Sequence, residues 1–593
     1  MMSVQTLSQL FHYNVTNFNK PDLLVYRGHD GAFHKISSNE FKDRVVSFAL
    51  GLRELGVKSE TKILLLAENR PEWHIADFAC HLLGAVLVPI FPTLIWDQVE
   101  FIANNSDSEV VIVSNEIQIA KIQQIRGHLK KLKHVIVMNA DAVKENTTSF
   151  GKVLESGSER DGDDFLERAT KIARPDEIAT LIYTSGTTGA PKGVMLSHEN
   201  LVSNFLACTS YLKLDESDVG LSFLPLSHAF ERTVDYFYFY CGLSIIYSSN
   251  DTVAQDLEQW RPTIMAAVPR FYEKVRARVQ ARAEAESAIK KGMFNWAMNV
   301  GREKAETELG VRDGEGPSNW QYKLANKLVF SKIKARTGGR MKYFISGSAP
   351  LSSEVATFFF SVGLKIIEGY GLTETSPIVS FNPPEHPKIG SVGKVLPGVQ
   401  VKIADDGEII VKGPNVMMGY YKMPAATDEV LEDGWLHTGD IGRLDEDDYL
   451  TITDRKKQLM VTSVGKKVAP QAIEKEVENS KYIDQVMLIG EKRNFISALI
   501  VPDFEALKTF TESRGIAMNG AAELIQHPEI VALIQSEVNE RQKHFSDYEK
   551  IRKFKLLPQA FTIEAGQLTP TLKVKRKVVE QEYAKLIEEM YAS

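Results

Sequence analysis

Cysteine is scarce. The 593-residue chain has 3, Cys80, Cys208 and Cys241, scattered and without metal-ligand spacing. An odd, dispersed set excludes a disulfide framework and predicts a reducing compartment. Basic excess is also missing: the formal net charge is -7. A general polyanion binder is usually basic, so nucleic acid is excluded as the main partner, while small anions can still sit in local basic pockets. Met1 to Tyr13 lacks a basic segment followed by an apolar one, so no signal peptide is expected. A membrane span is missing too. Phe78–Trp96 is nearly long enough but is interrupted by His81, Gly84, Pro89 and Pro92, and reads as a helix feeding a buried strand at Val86–Ile90. Val234–Tyr247 is aromatic but short, and carries Asp235 and Gly242. A cytoplasmic protein is expected. Peripheral attachment to the inner face of a membrane stays open, because an amphipathic surface need not show in hydropathy.

What is present is an ordinary globular composition, 44% apolar and 25% charged, in a chain long enough for a large composite domain and a smaller one. Short apolar runs alternate with helical patterns through the first three-quarters. Lys62–Leu66, Val110–Val113, Val135–Met138, Ile178–Tyr183, Met341–Ile345 and Lys365–Ile367 read as strands, and Ser38–Leu55 as a helix. This predicts α/β architecture with largely parallel sheets. Arg276–Gly310 is charged, Ala-rich and free of proline, so an exposed helical insertion is expected across about 276–335. Its bland role is to cap the core; its sharper one is to face a membrane or admit substrate. Ser391–Leu450 turns β-rich, and a smaller α+β unit follows Asp454. The expected domains are 1–454 and 455–593.

The run Thr184-Ser185-Gly186-Thr187-Thr188-Gly189-Ala190-Pro191-Lys192-Gly193 directly follows an apolar strand. Small residues let backbone approach a polyanion, consecutive amides and hydroxyls donate to phosphate oxygens, and Lys192 adds compensating charge. The residue order is not that of a Walker A loop. Two further blocks sit at strand ends, where open α/β sheets bind ligands. They are Ser346-Gly347-Ser348-Ala349-Pro350 and Glu368-Gly369-Tyr370-Gly371-Leu372-Thr373-Glu374-Thr375. Tyr370 offers an aromatic face, Thr373 a donor for phosphate, and Glu374 a hard oxygen ligand suited to Mg²⁺. Trp435-Leu436-His437-Thr438-Gly439-Asp440 supplies in Asp440 an acceptor for ribose hydroxyls.

In this order the blocks resemble the signature of the adenylate-forming superfamily: acyl-CoA synthetases, luciferases and peptide-synthetase adenylation domains. The resemblance implies a large N-terminal domain of packed α/β sheets with a β-rich subdomain, and a small mobile α+β C-terminal domain. It implies that Gly347, Ser348, Ala349 and Tyr370 flank adenine, with Glu368, Gly369 and Gly371 beside them, and that Arg455 joins Asp440 at the ribose. Lys457 falls at the hinge about which the small domain alternates. The catalytic lysine aligns to Lys573 in Leu568-Thr569-Pro570-Thr571-Leu572-Lys573; relatives often have glycine before it, and its absence leaves Lys575 as a second candidate. Thr184, Lys192 and Glu374 complete the implied catalytic set. Gly465 and Lys466 match the loop lining the coenzyme A path.

Two stretches look like the long-chain fatty acyl-CoA synthetase subfamily: Asp433–Asp440 continuing to Asp454–Lys457, and Leu224-Pro225-Leu226-Ser227-His228-Ala229-Phe230-Glu231-Arg232. In relatives the second holds a gate on an acyl tunnel, which here would be His228 and Arg232. The implied activity is ATP-dependent, Mg²⁺-assisted fatty acid–CoA ligation through acyl-AMP. A carrier protein as acceptor and a non-catalytic fatty-acid binder are the alternatives.

Overall fold

The computed structural model describes residues 4–28, 30–158, 162–184, 191–312, 316–456, 460–463, 466–516, 520–563, 565–569 and 574–592. The chain divides into two compact units. One holds residues up to Lys402 with Ile410–Thr438 and Leu444–Leu450; the other holds Ile403–Ile409, Gly439–Arg443 and everything from Thr451.

Two large sheets build the first unit. An eight-stranded sheet runs Gly419–Tyr420, Lys192–Ser197, Ile178–Thr184, Val86–Ile90, Lys62–Leu66, Val110–Val113, His134–Val137, Thr148–Ser149. Its centre is parallel: Lys62–Leu66 pairs in parallel with both Val86–Ile90 and Val110–Val113. These strands are apolar at nearly every position because helices cover both faces, which suits a continuous run better than alternation. The nine-stranded sheet runs Lys394–Val395, Ile378–Phe381, Ile366–Gly371, Tyr343–Ser346, Ile264–Ala267, Val219–Ser222, Ser244–Tyr247, Leu24–Arg27, Phe33–Ile36. Its central strands are parallel, so the segments after Ser222, Ala267 and Ser346 leave from one edge.

Local signals explain the helices. Ser37 accepts the Glu40 amide at 3.2 Å and starts Ser38–Glu54. Pro71 opens Pro71–Leu82, and Gly242, at φ 73°, closes Ala229–Cys241. The helical insertion is two long helices, Pro269–Glu284 and Ala288–Glu308, then Asn319–Ala325, a π turn at Asn326–Phe330 and Ser331–Ala335. Only its outer side is exposed: Ala297, Val300 and Ala325 are buried in a second hydrophobic core with Phe330 and Phe359.

The second unit centres on Ile483–Ile489, antiparallel to Ile496–Pro502, which pairs in parallel with Ile551–Leu556. Alternate residues feed two cores. Val486, Leu488, Ala498 and Ile500 meet the helices Pro470–Glu478 and Pro528–Arg541; Met487, Ile489, Leu499 and Val501 meet Val579, Ile587 and Met590. No helix among the described residues is long and apolar enough to cross a membrane.

Candidate active site

The glycine-rich loop is a connection between paired strands. Thr184 ends one strand and lies opposite Lys192, which begins the next. The two residues expected to touch phosphate thus face each other at the loop's base. The neighbouring pair, Tyr183 and Gly193, shows why glycine is needed: a Cβ at Gly193 would stand 2.9 Å from the Tyr183 ring. That ring is fixed by its hydroxyl, which donates to Asn105 Oδ1 at 2.6 Å.

Lys192 is not isolated. Its Nζ lies 4.8 Å from the centre of the Tyr420 ring. Tyr420 is held at the sheet edge by pairing with Val194, and its hydroxyl donates to Glu374 Oε1 at 2.9 Å. Burial, then the Glu374 carboxylate, pushes the Tyr420 hydroxyl above its ordinary pKa, so it stays a donor. Lysine, tyrosine and glutamate form a short relay from the loop to Glu374. Sequence reasoning missed Tyr420, since its only signal is a Gly-Tyr-Tyr run far along the chain.

A second focus gathers at the edge of the nine-stranded sheet. Ser346 pairs with Glu368, and Glu368 Oε1 accepts the Leu351 amide at 3.0 Å. That bond ties the Gly347–Pro350 segment to the neighbouring strand, so Glu368 acts here by holding a loop. Ser348 adopts φ 69°, the left-handed region that bulkier side chains avoid. Tyr370 lies opposite Ser380 and is 8% exposed. Gly371 has no room for a side chain, because a Cβ would fall 1.7 Å from the Pro377 carbonyl oxygen. Thr373 and Glu374 follow in a 3₁₀ turn, and the Glu374 carbonyl accepts the Met417 amide at 2.9 Å.

In the second unit, Arg455 Nε stands 3.0 Å from Asp440 Oδ1, with Asp440 only 2% exposed. Glu408 braces this pair: its Oε1 accepts the Gly439 amide at 2.8 Å and its Oε2 meets Lys456 Nζ at 2.9 Å. The Lys456 amide returns to the Gly439 carbonyl at 2.7 Å. Glu408 lies in no motif, and Lys456, inside the Asp454–Lys457 stretch, had no role assigned from the sequence. Lys466 is exposed, its Nζ 5.5 Å from the Tyr548 ring, and its amide donates to Thr462 Oγ1 at 3.1 Å. Ser185, Gly186, Thr187, Thr188, Lys457, Gly465 and Lys573 lie outside the described residues.

A model of the AMP-binding enzyme family matches residues 14–421, and one of the AMP-binding enzyme C-terminal domain matches residues 457–593. The chain belongs to the AMP-binding enzyme family. It is 35% identical over 580 residues to the long-chain-fatty-acid–CoA ligase FadD15 of Mycobacterium bovis, covering 96% of this chain and 95% of that protein. It is 32% identical to the long-chain-fatty-acid–CoA ligase ACSBG2 of Xenopus laevis, covering 99% and 84%. The adenylation domain of a carboxylate reductase from Mycobacterium chelonae has the same fold, with TM-score 0.78 at 24% identity over 100% of this chain and 92% of that one.

Within this AMP-binding enzyme, the two residues expected at the acyl gate, His228 and Arg232, are both bonded to neighbours in the structure. Arg232 is enclosed. It is 0% exposed, its Nη2 is 2.5 Å from Asp77 Oδ1, and its Nε donates to the Tyr236 hydroxyl at 2.7 Å. Nη1 donates to Thr180 Oγ1 at 2.8 Å. Burial opposes ionisation of Asp77, but Arg232, then His81, outweigh it and hold the carboxyl below its ordinary range. Arg232 is thereby tied to the strand Ile178–Thr184. His228 is also occupied: its Nδ1 accepts the Phe230 amide at 3.1 Å and caps the helix Ala229–Cys241.

Beside this network is a small apolar cavity lined by Leu212, Phe230, Val234, Phe237, Ile345 and Phe381, among others. Phe230 is its wall toward the nucleotide segments, since a Cβ at Gly347 would lie 3.0 Å from the Phe230 ring. The Phe223–His228 loop is strapped in place. Asn69 donates to the Leu224 carbonyl at 2.7 Å and accepts the Leu226 amide at 3.0 Å, and Glu231 accepts the Phe223 amide at 2.9 Å.

Proposed function

We propose that this protein is an ATP-dependent long-chain fatty acid–CoA ligase that forms AMP. The observation that carries the reading is the near full-length similarity of this AMP-binding enzyme to long-chain-fatty-acid–CoA ligases. The apolar cavity at Phe230, about 20 Å³, is too small for a long hydrocarbon tail with its lining side chains in place, so a bound acid would have to displace part of that lining.

The chemistry has two steps. A carboxylate oxygen attacks the α-phosphorus of ATP, the bond to the β-phosphate oxygen breaks, and pyrophosphate leaves. The thiol sulfur of coenzyme A then attacks the acyl carbon, loses its proton, and AMP leaves. The first step brings two anions together, so fixed positive charge and donors are the main requirement. We assign Lys192, Thr184 and the loop residues Ser185, Gly186, Thr187 and Thr188 to the phosphates. Gly347, Ser348, Ala349 and Tyr370 are assigned to adenine, with Glu368, Gly369 and Gly371 shaping their segments, and Thr373 to a phosphate. Asp440 and Arg455 take the ribose hydroxyls. Lys573 supplies charge for adenylation, with Lys457 at the hinge, and Gly465 and Lys466 line the path of coenzyme A.

Glu374 fits a magnesium ion. One carboxylate oxygen is held by Tyr420, the other has no partner among the described residues, and no cluster of three or more His, Cys, Asp or Glu there competes for a metal. Magnesium commonly takes one or two carboxylates and completes its shell with phosphates and water. When bound, it supplies charge neutralisation at the phosphates.

A pair of variants tests the assignment. Lys573→Ala is expected to abolish adenylate formation from oleate and ATP yet still convert supplied oleoyl-AMP to thioester. Gly465→Leu is expected to do the reverse. Adenylation by Lys573→Ala at the parental rate sinks the lysine assignment and moves it to Lys575. Pyrophosphate release without a coenzyme A thioester points to a carrier protein as acceptor.

A further inference from the structure

The helical insertion presents a face that the proposed reaction does not use. Between Pro317 and Lys342 the sequence has no Asp or Glu, in a chain of net charge -7. Four basic residues of that stretch are engaged: Arg336 with Glu258, Lys342 with Asp218, Lys334 with Asn326 and Arg340 with the Ser217 carbonyl. Lys323, Lys327 and Lys332 point outward and have no ion-pair partner among the described residues. The same segment carries two large exposed apolar side chains, Trp320 at 64% and Leu324 at 38% exposure, one helical turn apart. The inward side of the same segment, Ala325, Val329 and Phe330, is buried, so the outward face is not core turned out by chance.

The surface continues to the tip of the neighbouring helix pair. Ile289 there is 86% exposed and is followed by Lys290 and Lys291. The tip adjoins Lys332, whose charge acts on Glu286, and Glu286 is already paired with Lys290 at 2.8 Å. The acids of Ala288–Glu308 are matched at home as well: Glu303 with Arg312, Glu306 with Arg302 and Glu308 with Lys304. The face keeps a net positive charge.

We propose that this face docks the enzyme onto an anionic phospholipid bilayer. Tryptophan, leucine and isoleucine side chains on a helical surface enter the boundary between headgroups and acyl chains, while lysines stay at the phosphates on long apolar stems. Charge decides the occupant: unpaired lysines around isolated apolar side chains complement an anionic lipid surface. The proposal does not depend on which acid the enzyme activates.

Co-sedimentation of the full chain with phosphatidylglycerol–phosphatidylcholine vesicles tests it. Binding is expected at low salt, falls as sodium chloride rises, and is absent with phosphatidylcholine alone. At about fivefold per lysine, K323Q/K327Q/K332Q lowers the partition constant about 100-fold. Trp320→Ser lowers it about tenfold through lost apolar burial. Both variants keep the parental thermal midpoint and parental thioester formation from water-soluble octanoate. No binding to anionic vesicles, equal binding to neutral ones, or parental binding by the triple variant would overturn the proposal.

Discussion

Tyr420→Phe removes one hydroxyl and keeps the ring. In the parent that hydroxyl donates to Glu374 at 2.9 Å, while the ring lies beside Lys192 Nζ at 4.8 Å. A hydrogen bond to a charged group contributes about 1.5–3 kcal/mol. Glu374 is half-buried, so water replaces part of the loss, and the lower end applies. The expected cost is about 1.5 kcal/mol, or roughly tenfold in kcat/KM for adenylation, with a higher magnesium concentration for half-maximal rate. Tyr420→Leu also removes the ring, and losing the cation–π contact adds about 0.5–1 kcal/mol. The split is informative. ATP affinity measured without magnesium should hold in Tyr420→Phe, because the ring beside Lys192 remains, and weaken in Tyr420→Leu. Pyrophosphate release across a magnesium titration, with ATP affinity by calorimetry, reads both effects. Parental kcat/KM and magnesium dependence in Tyr420→Phe would refute the relay.

Buried charges give two further predictions. Arg232→Met takes the guanidinium from the fully buried Asp77, which keeps only His81 and the Tyr236 hydroxyl as partners, and the expected loss is about 3 kcal/mol in chemical denaturation; a parental denaturation midpoint would show that the pair is not what fastens the strand. Asp235 is fully buried, 3.7 Å from His74 Nε2, and burial pushes its carboxyl well above the ordinary range, as burial and then Asp235 do for Glu231. A carboxyl with a raised folded pKa binds its proton more tightly in the folded state. It therefore lowers stability as pH climbs above the unfolded value near 4 toward the folded one. Asp235→Asn removes that cost, so its stability relative to the parent should grow with pH by up to about 1.4 kcal/mol per pH unit. A difference that stays flat between pH 5 and pH 8 contradicts it.

The strands were legible because burial on both faces demands unbroken apolar runs: Lys62–Leu66, Val110–Val113 and Ile178–Thr184 stand where hydropathy puts them. The strand-end segments were legible because tight backbone approaches need small residues at fixed places, and Gly193 and Gly371 each sit where a Cβ has no room. Pairings distant in sequence were not. Nothing in the sequence pairs Arg232 with Asp77, 155 residues away, which the structure sets against it. Tyr420 carries no local pattern, because its role comes from strand pairing with Val194. The division of the chain was hidden in the same way: Ile403–Ile409 and Gly439–Arg443 belong to the second unit although both precede residue 451. The insertion is split at Ala285–Ser287 without a glycine or proline to announce it.

The central claim is adenylyl transfer to a fatty acid, and the nucleotide product tests it most directly. Purified protein with oleate, ATP, magnesium and coenzyme A, followed by mass spectrometry, should give oleoyl-CoA and AMP in equal amounts, with oleoyl-AMP accumulating when coenzyme A is withheld. ADP in place of AMP, or no oleoyl product from either mixture, would contradict it.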